Sequence, residues 1–289
     1  MKNIVITGSS SGFGLKAAKD FADKDYNVFA TMRKPGGKNA ARKTELEKHS
    51  PQIKVVDMDV TNEASVKEAM DNILEQAGTV DILINNAGIM YLGITEAFSV
   101  AQTHIQMETN YYGAIRTMQA VLPAMRKARS GLIINTSSLV GRMSPPFFGT
   151  YTATKHALEG YSQALRYEVS PFGVDIVMVE PGPFGTGLLE SGQAPDHGNI
   201  LETYGELANV PAAMGENFAE MLQSENAPDP QWVVDTYLKL AELPAGKRPT
   251  RTVVGITWGV DKINELTQPI QDSVLKEMQL EKVLGGTSA

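Results

Sequence analysis

Seven short apolar runs, most of them rich in Val and Ile, recur along this chain between longer stretches with helical spacing. The runs are 4–7, 28–32, 53–58, 82–85, 132–136, 174–180 and 252–255. Most lack polar alternation, so they read as strands buried on both faces, as parallel strands are. Helical patterns fall at 14–24, 39–49, 62–77, 99–128 and 151–170, with shorter ones at 214–223 and 231–243. Thr61 and Asn62 are suited to cap the third. This alternation predicts a doubly wound α/β fold: a seven-stranded parallel sheet flanked by helices. At 289 residues, with no repeat or low-complexity linker, a single domain over 1–289 is expected.

Three features interrupt the pattern. Pro123 should kink or break the helix over 99–128. Between Pro181 and Pro211, prolines and glycines dissolve the periodicity, and a stretch of that length in a compact domain reads as a binding loop or lid. With the helical patch after it, the expected lid covers about 183–225. The tail, about 257–289, is a partly helical extension whose end, Gly285 to Ala289, should fray.

Composition narrows the function classes. A net charge of −7 with pI about 5.2 argues against nucleic-acid and anionic-membrane partners. The absence of cysteine excludes disulfides, thiolate metal sites and cysteine nucleophiles. His49, His104, His156 and His197 form no metal-spaced cluster, so no metal is expected. No stretch nears the ~18 apolar residues of a membrane span, and no leader-like segment is visible. A cytoplasmic location fits.

Five constellations carry chemistry. Thr7-Gly8-Ser9-Ser10-Ser11-Gly12-Phe13-Gly14 follows a strand and opens a helix. Its glycines let backbone N–H groups approach a pyrophosphate at a helix N-terminus; a plain Gly/Ser turn is the other reading. Thr31-Met32-Arg33-Lys34 ends the second strand without the acidic residue that would hold both ribose hydroxyls of NAD. Arg33, helped by Ser11, suits a 2′-phosphate and favours NADP; a solvated basic cluster is the alternative. Asn85-Asn86-Ala87-Gly88 ends the fourth strand where a crevice forms, or is a polar turn. Pro181-Gly182-Pro183-Phe184-Gly185-Thr186 follows the sixth strand, where Thr186 is able to bond a carboxamide, or is a plain loop.

The fifth is Tyr151 with Lys155, one helical turn apart on one face, and Ser137-Ser138 at the preceding strand end. A phenol has a pKa of about 10 in water, and a nearby ammonium lowers it. Roughly half a Tyr-xxx-Lys pair is expected by chance in such a chain, so its value rests on its company. Met90, Met143, Phe147, Phe148, Phe184, Met214, Phe218 and Met221 are candidates for an apolar pocket, several of them for plain core.

In order and spacing these elements resemble the short-chain dehydrogenase/reductase family in its single-domain form. Residues 7–14 resemble its TGxxxGxG motif, Asp59-Val60 its adenine-side acidic position, and Asn85 to Gly88 its NNAG element. Asn110, Ser138, Tyr151 and Lys155 fall where its catalytic tetrad falls. Pro181-Gly182 with Thr186 resembles its nicotinamide-side loop. Residues 248–255 resemble, less specifically, the last strand of members acting on steroids, retinoids and small ketones.

The resemblance implies a Rossmann fold and an NADP-dependent oxidoreductase, with NAD as the second choice. Cofactor contacts would come from Gly8, Ser10, Ser11, Gly12, Phe13, Gly14, Arg33, Asp59, Val60, Asn86, Ala87, Gly88, Tyr151, Lys155, Pro181, Gly182 and Thr186. Tyr151 would be the general acid or base, Lys155 would tune it and bind the nicotinamide ribose, Ser138 would polarise the substrate oxygen, and Asn110 would hold a relay water. The mostly apolar lid suits a hydrophobic ketone, aldehyde or alcohol. The family's habit of pairing through two long helices, here 99–128 and 151–170, implies a homodimer or homotetramer. The other class on this fold is a dinucleotide sensor without turnover.

Overall fold

The computed structural model describes residues 1–280. The strands are β1 (Asn3–Ile6), β2 (Asn27–Met32), β3 (Ile53–Asp57), β4 (Ile82–Asn85), β5 (Gly131–Thr136), β6 (Val174–Pro181) and β7 (Arg251–Val254). All neighbours pair in parallel, in the order β3-β2-β1-β4-β5-β6-β7. Chain direction across the sheet reverses between β1 and β4, and that switch point opens a crevice at the strands' carboxyl ends.

The helices are α1 (Gly12–Asp23), α2 (Ala40–His49), α3 (Glu63–Ala77), α4 (Val100–Met107), α5 (Gly113–Ala128), α6 (Gly149–Val169), α7 (Gly198–Thr203), α8 (Val210–Gln223), α9 (Gln231–Glu242) and α10 (Val260–Glu277). They cover both faces of the sheet, which is why the central strands are apolar throughout. Ile4, Ile6, Ile82 and Ile84 pack with α1 and α9 through Ala18, Phe21, Val233 and Tyr237. Val5, Leu83 and Ile133 point the other way, onto Val66, Met70, Met118 and Val121 of α3 and α5. The edge strands β3 and β7 are less buried, as edges are. Asn62 caps α3, its side chain accepting from Ser65 N at 3.0 Å. Thr61 instead turns its hydroxyl onto Asp59 at 2.8 Å.

Three expectations need correction. The helix over 99–128 is interrupted not at Pro123, which lies inside α5, but at a π-helical turn over Glu108–Tyr112. The widened turn contains the buried Asn110. The stretch after Pro181 is not structureless: it holds 3₁₀ turns at Leu189–Ser191 and Gly205–Asn209 and the short α7. Such one- and two-turn elements are too short to imprint a period on the sequence. The next helix starts at Val210, four residues before the pattern shows, because Pro211 occupies its first turn, where a missing N–H costs nothing. The expected fraying of Gly285 to Ala289 lies outside the described residues.

Candidate active site

A cavity of about 780 Å³ opens at the carboxyl end of the sheet. Its floor is the β1–α1 loop. Gly8 and Gly12 take φ of +69° and +53°, the left-handed region that glycine adopts without strain. The β4 end locks this loop from beneath: Thr7 Oγ1 accepts from the backbone N–H groups of Asn86 (2.9 Å) and Ala87 (3.0 Å). Asn86 Nδ2 donates back to the Thr7 carbonyl at 3.0 Å. Ser11, the N-cap of α1, makes no side-chain cap bond. The first turn of α1 therefore presents N–H groups and a positive helix end to the cavity, the feature that suits a pyrophosphate.

At the end of β2, Arg33 lines the cavity together with Lys38 and Asn39. Asn39 Nδ2 donates to the Arg33 carbonyl at 2.6 Å, tying residues 33–39 into a turn whose Arg33 and Lys38 both line the cavity. At the end of β3, Asp59 and Val60 form the next part of the wall. Asp59 Oδ1 accepts from the Thr61 backbone and hydroxyl at 3.0 and 2.8 Å. Ala87 and Gly88 follow, and Pro181, Gly182 and Thr186 close the far side. A Cβ on Gly12 would stand 3.1 Å from Thr186 Cβ, and one on Gly182 would stand 2.4 Å from the Ile256 carbonyl oxygen. Glycine at these two positions leaves room for Thr186 and for the Ile256 carbonyl to approach this closely. A glycine cradle at a helix start, a basic cluster at β2 and an acidic side chain at β3 fit an NAD(P) dinucleotide laid across the switch point.

Beyond the β5 end stand Ser138, Tyr151 and Lys155, all lining the same cavity. Tyr151 is only 5% exposed, and burial pushes its phenol up to about 12, a hydrogen bond with Ser138 pulling the other way. Lys155 is equally buried, and desolvation pushes it down to about 8, against the opposing charge of Glu159. The expected lowering of the phenol by the ammonium is not the dominant effect here. Lys155 Nζ stands 5.7 Å from the Tyr151 ring centroid and donates to the Thr136 carbonyl at 2.8 Å, so burial outweighs it.

Around this polar group the wall is apolar. Met90, Val140, Phe148 and Tyr151 cluster with Leu188, Leu189, Met214 and Phe218. Phe218 of α8 bridges Phe148 and Trp258, at centroid distances of 6.4 and 6.3 Å.

Of the residues singled out for cofactor or catalysis, all but Gly14 and Asn110 line the cavity. Gly14 packs beneath the loop against Gly8 and Asn86. Asn110 is buried behind the wall, its Oδ1 accepting from Ile89 N at 2.9 Å and its Nδ2 donating to Ile89 O and Thr154 Oγ1 at 2.8 and 3.0 Å. Asn85 is likewise internal, bonded to Asn135 and Thr117. Met143 and Phe184 line the cavity, whereas Phe147 and Met221 do not. Sequence reading missed Lys38, Asn39, Leu188, Leu189, Leu222 and Trp258. Lys38 alone carried a signal, as a cation just past a Gly-Gly turn.

A family model described as short chain dehydrogenase matches residues 2–196. A 3-ketodihydrosphingosine reductase from Bacteroides thetaiotaomicron is 40% identical over 203 residues, covering 70% of this chain and 69% of that one. Several other curated relatives are matched over less of their length, the human retinol dehydrogenase 8 over 60%. Among solved structures, a short-chain dehydrogenase from Streptomyces avermitilis superposes with a TM-score of 0.77 at 27% identity, covering 100% of both chains. A serine dehydrogenase complexed with NADP+ superposes with a TM-score of 0.71 at 25% identity, covering 87% of this chain and 94% of that one.

Proposed function

The chain belongs to the short-chain dehydrogenase family, an NAD(P)-dependent oxidoreductase acting on CH–OH donors, and from that premise we propose that it interconverts an apolar ketone or aldehyde with its alcohol through Tyr151. The observation that carries this reading is the convergence of Ser138, Tyr151 and Lys155 on the cavity that the glycine loop also lines. NAD(P) supplies or accepts the hydride. In the reducing direction Tyr151 gives its phenolic proton to the substrate oxygen, and in oxidation it takes that proton back. Ser138 donates to the same oxygen as negative charge develops there. Lys155, as an ammonium in a water-poor site, stabilises the phenolate left behind and binds the nicotinamide ribose. Asn110 is proposed to hold the relay water, using acceptor capacity left on Oδ1, which takes the Ile89 N–H.

NADP is the proposed cofactor. Arg33 and Lys38 line the β2 end and no acid stands among Thr31 to Lys34, which favours a 2′-phosphate. The substrate is proposed to be hydrophobic, since the wall beyond Tyr151 is built from Met90, Val140, Phe148, Met214 and Phe218. The relative named 3-ketodihydrosphingosine reductase, by its name a reductase of a keto compound, agrees.

One domain over 1–289 with residues 183–225 as its lid, a homodimer or homotetramer, and a cytoplasmic location complete the proposal. Val100 and Ile105 of α4 and Tyr112 of the turn after it are exposed apolar side chains, within the helical segment proposed for pairing. Among the described residues no helix is long and apolar enough to cross a membrane. The test is a panel of ketones, aldehydes and alcohols followed by nicotinamide absorbance with each cofactor. Turnover of apolar carbonyls with NADPH is expected, and none with either cofactor would refute it.

A further inference from the structure

Behind Lys155 lies a buried charge cluster that the proposed reaction does not use. Glu159 follows Lys155 by four residues, so the two share one face of α6 a turn apart. Both are buried, Glu159 at 3% exposure. Arg251 reaches across from β7 and straddles two turns of α6, with Nε donating to Glu159 Oε2 and Nη2 to Gln163 Oε1, both at 2.8 Å. From β6, Glu180 stands 3.5 Å from the same Nε and is itself held by Asn264 of α10 at 2.5 Å. Arg142, in the turn after Ser138, bonds Asn264 Oδ1 and Thr267 Oγ1 at 2.9 and 2.6 Å. The charged groups facing Glu159 are therefore Lys155 on its own helix, Arg251 of β7, Glu180 of β6 and Arg142.

Two facts separate Glu159 from a plain structural ion pair. Its second oxygen, Oε1, is buried and accepts no hydrogen bond, so Arg251 does not consume the carboxylate's capacity. Glu180 is the carboxyl that burial, and then the charge of Glu159, push upward. Glu180 is thus disfavoured as an anion, and Glu159 is the carboxyl that Arg251 clamps at 2.8 Å, one helical turn from Lys155. Among the described residues, the Thr136 carbonyl is the hydrogen-bond acceptor that the Lys155 ammonium meets, at 2.8 Å.

We propose that Glu159, clamped by Arg251, is a positioning residue whose negative charge keeps Lys155 an ammonium beside Tyr151. The inference rests on the role proposed above for the Tyr151 and Lys155 pair. Removing a charge one helical turn away should make Lys155 lose its proton at lower pH, by about one pH unit, the low end of the effect of a neighbouring ion.

Glu159→Gln tests it, because the amide oxygen still accepts from Arg251 and the shape is kept. The Lys155 side chain is titrated by NMR in the full chain carrying ¹³C-labelled lysine, its resonance assigned with Lys155→Met. The expected result is a midpoint about one unit below that of the unsubstituted protein, with the alkaline limb of turnover moving down in parallel. Glu159→Asp, which keeps the charge on a shorter arm, should titrate between the two. An unchanged midpoint in Glu159→Gln overturns the proposal. Should that variant not fold, Glu159→Asp decides alone: a midpoint below the unsubstituted protein supports it and an equal one overturns it. The titration needs no turnover, so an active Tyr151→Phe variant would remove the catalytic reading without touching this measurement.

Discussion

Lys155 Nζ lies 5.7 Å from the Tyr151 ring centroid, yet its hydrogen bond goes to the Thr136 carbonyl at 2.8 Å. The two groups adjoin without being directly bonded. Thr136 in turn shares a hydrogen bond of 2.8 Å between its hydroxyl and the buried Tyr237 phenol. The last residue of β5 thereby anchors the ammonium from below while the phenol stays available to a substrate oxygen.

Tyr151→Phe removes the phenolic proton and the hydrogen bond with Ser138, while the ring keeps its packing with Met90, Val140 and Phe148. Turnover should fall on the order of 10²–10⁴-fold, the span of general acid–base catalysis. Cofactor affinity, measured by quenching of protein fluorescence, should change little. Retained turnover would remove Tyr151 from the mechanism.

Lys155 carries a pH prediction of two signs. Its ammonium is present below about 8 and lost above it, so turnover that depends on the ammonium should decline as pH rises through 8. Stability moves oppositely. The folded state releases this proton at about 8 and the unfolded chain near 10.5, so between those values the unfolded chain binds more protons and stability rises with pH. At neutral pH the buried ammonium costs on the order of 3 kcal/mol. Lys155→Met should therefore be inactive yet as stable as the parent or more so at pH 7, its advantage shrinking toward pH 10. Chemical denaturation across that range checks the trend, and an advantage that grew with pH would contradict it.

The order of motifs was readable because all but Asn110, Tyr151 and Lys155 sit at a strand end, and parallel topology gathers strand ends at one edge. Depth was not readable. Gly14 and Asn110 match motif positions, but a spacing cannot say whether a residue faces the crevice or supports it, and both stand behind the wall. Trp258 reaches the cavity only because β7 pairs with β6 in the register Pro181↔Val254, a contact between distant segments. Asn85 looked like part of a crevice motif and is an internal bridge to Asn135 at 2.9 Å. Residues 198–203 form a helix of six residues with no buried side chain, too short to leave a period.

Arg33→Ala should discriminate between cofactors. The side chain is exposed at the β2 end and lines the cavity, so its loss should not disturb the core. A hydrogen bond to a charged group contributes ~1.5–3 kcal/mol, equivalent to ten- to a hundredfold in affinity. NADPH binding should weaken by about that factor and NADH binding hardly at all. Lys38→Ala should act in the same direction and more weakly, a point charge lacking the planar fork. Equal losses for both cofactors would argue against the 2′-phosphate assignment.

Two helical glycines should respond to alanine with opposite signs. A Cβ on Gly14 would stand 2.5 Å from the Gly8 carbonyl oxygen and 2.6 Å from Asn86 Nδ2. Both atoms belong to the bonded frame that shapes the loop, so neither is free to yield. Overpacking of this kind costs ~1–3 kcal/mol, and here the displaced group is the loop itself. Gly14→Ala should melt several degrees lower and bind NADPH at least tenfold more weakly. Gly160 lies in α6, is exposed, and a Cβ there meets nothing within 4 Å. Gly160→Ala should gain ~0.5–1 kcal/mol through helix propensity alone and leave cofactor binding unchanged. The pair separates loop geometry from helix content: thermal melting reads both changes, and cofactor titration should register only the first. A tolerated Gly14→Ala variant with normal affinity would show that the close approach of α1 to the loop is not needed to hold a dinucleotide.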